Sequence, residues 1–318
     1  MRNHIINYLL ALTCAAVLSG CETMVGDMDQ SKLPKTQSKL VVECYLSPQS
    51  EEIVVKVTES QKLFGPASYE PTYIKNATVT LSGTAGQIQI PYNDSSFSYR
   101  IPAGAFKIEA GKKYDLLVSD VSRTVKATCT VPKNQVTFKS YTVDTVYDNT
   151  TPWEQDTSVT FKASWNDIKG EKNAYSLRGY FEILETNGYS YNSGTGQIII
   201  RRPANKRVHN NENYLLTDTN LDGITFDSPV YDVSVRTRML GYITQNGQNQ
   251  YIWSNPKLIK IQFEVLNLDE NYYKFSKSIK DGANNDNPFV EPALVYTNIE
   301  GGLGCFGAYN AGILTVKP

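Results

Sequence analysis

The chain of 318 residues has two histidines, four methionines, three tryptophans and five cysteines. His4 falls within the first twenty residues, so only His209 remains beyond them. One histidine cannot build a His-based zinc site or a His₂-carboxylate site, and any Ser-His-Asp arrangement would have to use His209. That residue sits in a polar run from Asn205 to Asn213, read here as a solvated loop. There is no CxxC pair, and no strand–glycine loop–helix unit of the kind that binds dinucleotides or phosphates. An excess of positive charge is also missing, with 31 basic against 32 acidic residues, and that argues against a nucleic-acid partner. Counting does not exclude a carboxylate pair, but a glycosidase needs two carboxylates facing one cleft at roughly 5–10 Å. The acidic residues on alternating strands read mostly as solvated faces, so the expectation is a protein without catalytic function.

The chain begins Met1-Arg2-Asn3 and then runs apolar from Ile5 to Leu18, broken only by Asn7 and Thr13. One positive charge before a short apolar run is the pattern of a secretory signal. The run is shorter than the ~20 residues needed to cross a bilayer, and no later stretch approaches that length. It ends Leu18-Ser19-Gly20-Cys21, which resembles the bacterial lipobox. The expectation is a signal peptide over residues 1–20 and acylation of Cys21, with chains such as palmitate holding the protein to the cell outer membrane. Several acyl chains exceed the two-signal minimum for stable anchoring, at ~0.8 kcal/mol per buried methylene. Removing residues 1–20 takes away only Arg2 among the charged residues, leaving 30 basic against 32 acidic. Residues 21–39 are polar, mixed and without periodicity, and read as a flexible tether.

From Leu40 the pattern has period two. Leu40, Val42, Cys44 and Leu46 share one face; Ile53, Val55 and Val57 repeat the arrangement, as do Tyr114, Leu116 and Val118, and Val125, Ala127, Cys129 and Val131. Turn signals such as Ser82-Gly83, Asn93-Asp94 and Pro102-Ala-Gly104 separate the runs. Short strands at regular spacing predict an immunoglobulin-like β-sandwich over 40–133. The remainder, 134–318, reads as a larger β-rich domain. Its expected strands include Ser158–Ser164, Ser176–Leu184, Tyr231–Arg238, Leu258–Leu266, Ala293–Tyr296 and Gly312–Val316. One helix is expected there, with Asn267 as its cap, Glu270 closing a capping box, a stripe of Tyr272, Phe275, Ser276 and Ile279, and Gly282 just past its end. The fold class is therefore all-β with one short helix. Tyrosine, at 21 residues, suits such a fold outside the cytoplasm.

Several stretches carry a resemblance: Leu40-Val-Val-Glu43, Asn76-Ala-Thr-Val-Thr-Leu81, Gly111-Lys-Lys-Tyr-Asp-Leu-Leu-Val118 and Ala127-Thr-Cys-Thr-Val-Pro132 in the first half. In the second half they are Trp165-Asn-Asp167 with Ala174-Tyr175, Asn271-Tyr-Tyr273, and Glu291-Pro292 leading to Asn298-Ile-Glu-Gly-Gly-Leu-Gly-Cys-Phe306. Together they resemble the DUF4249 family of Bacteroidetes lipoproteins. The resemblance implies an immunoglobulin-like first domain, a larger β second domain and genes beside TonB-dependent outer-membrane transporters; it supplies no catalytic residues. The glycine segment is not a phosphate loop, because no helix follows it; its glycines are expected to permit close backbone packing at a sheet corner.

Three constellations stay open in the residues themselves. Asp218-Thr-Asn220-Leu-Asp222-Gly223 fits the first half of a calcium loop, with side-chain oxygens at alternate positions. The twelfth position is Pro229, where a glutamate would be needed; Asp227 is the nearest replacement, and an Asx-rich turn explains the same residues. Cys44 and Cys129 both point inward and could pair in an oxidising compartment, although two buried thiols are the simpler reading. Tyr189-Ser-Tyr191 is placed near a hairpin tip, where exposed tyrosines suit recognition of sugars or proteins. The functional expectation is a noncatalytic outer-membrane lipoprotein, accessory to a TonB-dependent transporter in substrate capture or uptake. The alternative is a structural or adhesive envelope protein that binds a protein or glycan.

Overall fold

A computed structural model describes residues 37–61, 70–151, 154–186, 188–192, 194–195, 197–200, 204–209, 214–283 and 294–318. Cys21, the signal segment and most of the expected tether lie outside these residues. Among the described residues the protein is all-β with a single α-helix.

Eight strands build the first layer pair: β1 (Leu40–Leu46), β2 (Glu52–Glu59), β3 (Thr78–Gly83), β4 (Gly86–Ile90), β5 (Tyr92–Asn93), β6 (Ser98–Pro102), β7 (Lys113–Ser119) and β8 (Thr124–Thr130). The inward residues of β1, β2 and β6 meet those of the four-stranded sheet β4-β3-β7-β8. Leu40, Val42, Cys44 and Leu46 are all buried, as are Tyr114, Leu116, Val118, Val125, Ala127 and Cys129 across the sandwich. Period-two alternation has this outcome because successive side chains in a strand point to opposite faces.

The chain then continues with β9 (Thr137–Thr151), β10 (Glu154–Asn166), β11 (Ala174–Glu185), β12 (Tyr189–Asn192), β13 (Gln197–Ile200), β14 (Ala204–His209), β15 (Tyr214–Thr217), β16 (Thr225–Asp227), β17 (Tyr231–Gln245), β18 (Gln248–Trp253) and β19 (Lys257–Leu268). Helix α1 (Glu270–Ala283) and β20 (Leu303–Val316) complete it. A second core lies between the β11-β19-β20 part of one sheet and the sheet formed by β9, β10, β16 and β17, with Phe161, Trp165, Tyr175, Phe263 and Val265 at its centre.

The two cores share β20. It runs parallel to β1, with Val42 opposite Gly304 and Cys44 opposite Phe306, and then antiparallel to β19, with Leu266 opposite Ala311. A nine-stranded sheet, ordered β14-β11-β19-β20-β1-β2-β6-β5 with β15 also on β11, therefore passes from one half of the chain to the other. Along one face of β20, Phe306 and Ala308 complete the first core, while Leu314 and Val316 join the second. On the other face Tyr309 and Ala311 pack beneath Tyr272 and Tyr273 of α1. The glycine segment expected at a sheet corner is instead the entry to this strand. Gly304 has φ +101° and approaches β1 so closely that a Cβ would collide with the carbonyl of Val42.

Three local expectations are corrected. The helix is capped by Asp269, not Asn267: the Asp269 Oδ1 accepts the Tyr272 N–H at 2.9 Å and its carbonyl accepts that of Tyr273. Asn267 is committed to the ladder opposite Asn310, because β19 runs on to Leu268. Glu270 pairs with Lys274 one turn along, and Gly282 falls inside the last helical turn. Residues 294–296, read as part of a strand, form none. His209 ends β14, opposite Tyr180, rather than lying in a loop, although it is exposed as expected.

Candidate functional site

The second core fixes the base of an acidic turn. Trp165 is fully buried, stacked at 5.7 Å on Phe226 and edge-on at 6.2 Å to Tyr175. Two residues after Trp165 the chain leaves β10, and Asp167 points back beneath the loop that joins β15 to β16. The Tyr175 hydroxyl donates to Asp167 Oδ1 at 2.6 Å, and the Gly223 N–H donates to Oδ2 at 2.7 Å. Burial and the carboxylate at its side push the Tyr175 hydroxyl well above its ordinary range, so it stays a donor.

Asp218 accepts the Asn173 N–H at 2.9 Å, and Asp222 accepts the Gly170 N–H at 2.7 Å. These bonds bring the carboxylates of Asp167, Asp218 and Asp222 together, with one oxygen of each within 4.8 Å of the others. Asp167 and Asp218 are buried and Asp222 is exposed. Asn220, expected among the ligands, is exposed and takes a left-handed turn at φ +64°. Asp227 is engaged elsewhere, by the Ser164 hydroxyl and Lys162 on the neighbouring strand. Spacing could not reveal Asp167, which is 51 residues before Asp218; the Trp165-Asn-Asp167 stretch of the family resemblance was the only signal.

A cleft of about 1010 Å³ opens beside this turn, with Asn173, Asp218, Asp222, Asp269, Glu270 and Lys274 among its lining residues. A second cleft, of about 560 Å³, shares Asn173 and Asp269 with it and is also lined by Asn267, Thr130 and Lys133.

A different surface gathers aromatic side chains. The hairpin expected around Tyr189-Ser-Tyr191 forms from β12 and β13. Tyr189 lies against Gly241 of β17, leaving no room for a side chain there. On the adjoining β17–β18 hairpin Tyr242 and Tyr251 sit opposite one another, ring centroids 6.2 Å apart, with 55 % and 40 % of their surfaces exposed. Thr244 and Asn249 supply polar groups next along the same face of that hairpin, while Tyr191 is exposed on the separate β12–β13 hairpin. Such amphipathic rings on rigid strands suit a recognition surface.

Cys44, Cys129 and Cys305 are all buried, each a free thiol in this structure. Burial pushes the Cys44 thiol up to about 12 and raises Cys129 and Cys305 as well, which keeps all three protonated and unreactive.

The family model described as "Domain of unknown function (DUF4249)" matches residues 26–313. No curated protein matches the chain. Among solved structures, the "Biofilm associated protein - BSP domain" aligns at 9% identity over 94% of this chain with a TM-score of 0.18; the chain spans 62% of that one. The "Biofilm associated protein - B domain" aligns at 9% identity over 87% of this chain and 85% of the other, with a TM-score of 0.17.

Proposed function

Because the chain belongs to the DUF4249 family, whose domain carries no assigned function, we propose from its own residues that it is a noncatalytic lipoprotein of the outer membrane, accessory to a TonB-dependent transporter in substrate capture or uptake. The observation that carries this reading is the exposed pair Tyr242 and Tyr251, displayed on strands rather than on loose loops. Large rigid rings with polar tips give contact area at low entropic cost. An acylated Cys21 followed by a polar tether would hold this surface close to a membrane partner, where binding becomes a local event at high effective concentration.

Affinity purification from gently solubilised outer membranes tests the reading. A large β-barrel receptor should be recovered in near-equal amount, and Tyr242→Ala combined with Tyr251→Ala should reduce that recovery roughly tenfold or more, as for paired interface hot spots. Cys21→Ala should abolish fatty-acid labelling and lower the recovery. A protein that comes out alone, and whose deletion alters attachment but not nutrient uptake, would replace this reading with the adhesive one.

A further inference from the structure

We propose that Asp167, Asp218 and Asp222 hold a calcium ion in the wall of the larger cleft. Three carboxylates converge there, two of them buried. Among the described residues no lysine or arginine forms an ion pair with any of the three. Carboxylates gathered out of water without a counter-charge are costly, and a cation removes that cost directly.

A second observation comes from Asn173. Its side chain is buried, with 6% of the residue's surface exposed, and its Oδ1 accepts no hydrogen bond, while its Nδ2 donates to Asn267 Oδ1 at 3.2 Å. Asn173 lines the same cleft as Asp218 and Asp222; its N–H donates to the Asp218 carboxylate and its carbonyl accepts the Asp218 N–H. The wall thus carries a buried, unpartnered oxygen on the residue that is bonded directly to Asp218. Nearly all buried side-chain acceptors are satisfied, so an orphan here calls for a ligand.

The chemistry selects the ion. The available donors are all oxygens, which suits a hard cation and not a thiolate- or imidazole-seeking metal. One oxygen of each carboxylate lies within 4.8 Å of the others, and calcium's longer bonds and tolerance of irregular geometry suit carboxylates already held by their own hydrogen bonds better than magnesium's strict octahedron does. The bonds from Tyr175, Gly223, Asn173 and Gly170 fix each carboxylate from behind, as outer partners do in metal sites. The cleft leaves room for water to complete the coordination.

The test uses the purified protein stripped with a chelator. Calorimetric titration with calcium chloride should show one site with a dissociation constant at or below about 1 mM, the range of extracellular calcium modules. Asp222→Asn changes an exposed residue and should fold; it should weaken binding at least tenfold, while Asp227→Asn, outside the cluster, should leave it unchanged. Tyr175→Phe, which removes the hydroxyl behind Asp167, should weaken binding roughly tenfold. Terbium in place of calcium gives a second readout, because excitation of Tyr175 should sensitise its emission and calcium should quench that signal. Absence of both heat and sensitised emission up to about 10 mM ion overturns the proposal. So does binding that survives Asp222→Asn at full strength.

Discussion

Replacing the helix cap Asp269 by asparagine should make the protein more stable at neutral pH. The carboxyl is nearly enclosed, and burial raises its pKa from 3.8 to about 6, with the charge of Glu270 adding to the effect against the main-chain N–H groups that favour the ion. In the unfolded chain the group returns to its ordinary value. The folded state therefore binds more protons between pH 4 and 6. The contribution to stability is fully present below pH 3.8 and is lost as pH rises through about 6. A displacement of that size corresponds to roughly 3 kcal/mol, an upper bound because water entry and relaxation reduce it. Asparagine keeps the oxygen that accepts the Tyr272 N–H and cannot ionise, while its amide nitrogen, turned towards the other main-chain N–H groups, offsets part of the gain. Asp269→Asn should thus gain about 1–3 kcal/mol at pH 7.5 and little or nothing at pH 4. Calorimetric melting in chelator at both pH values measures this, with about 2–4 °C expected per kcal/mol for a chain of this size or somewhat smaller. The reasoning fails if the variant shifts the midpoint equally at the two pH values, or lowers it at pH 7.5.

Two further outcomes concern the shared strand and the thiols. Gly304→Ala should prevent recovery of folded protein or cost about 4 kcal/mol or more, because it combines a left-handed φ with a Cβ against the Val42 carbonyl; Gly104→Ala, where the added Cβ meets nothing, should be near neutral in the same urea titration. Cys44, Cys129 and Cys305 should resist alkylation in the native protein and all take up iodoacetamide after denaturation without reductant, as read by mass spectrometry. Labelling of Cys305 alone would show that the other two are paired.

The first sandwich was legible because β1, β2, β7 and β8 alternate and bury one face. Leu40, Val42, Cys44 and Leu46 announce β1 without help from any other part of the chain. β9 was not legible, since its Thr- and Ser-rich sequence carries little apolar alternation and is held by β10. β20 was half-read: Gly312–Val316 showed, but the glycines at its start are poor strand formers and sit there only because β1 passes alongside, from more than 250 positions away in sequence. The acidic turn failed in the same way. Asp218 and Asp222 were visible by spacing, whereas Asp167 reaches them through a fold that brings the end of β10 beneath a later loop. Asn267 misled because capping preference is local, and the sheet claimed that residue first.

The parallel contact between β1 and β20 also sets an order of events. Until residues 303–308 have joined it, the first sandwich lacks Phe306 and Ala308 and one strand edge of β1 stands open. Contacts of such sequence separation form late and slowly, since a long loop must close before they give anything back. A chain with this topology cannot complete its N-terminal half while the C-terminal half is still being made or moved. If the chain is exported, as the proposed function requires, that delay is useful: the segment that enters a translocation channel first stays loose enough to thread, and final closure waits for the far side of the membrane. The same delay leaves a hydrophobic strand edge uncovered in transit, which is the situation that periplasmic holding chaperones exist to manage.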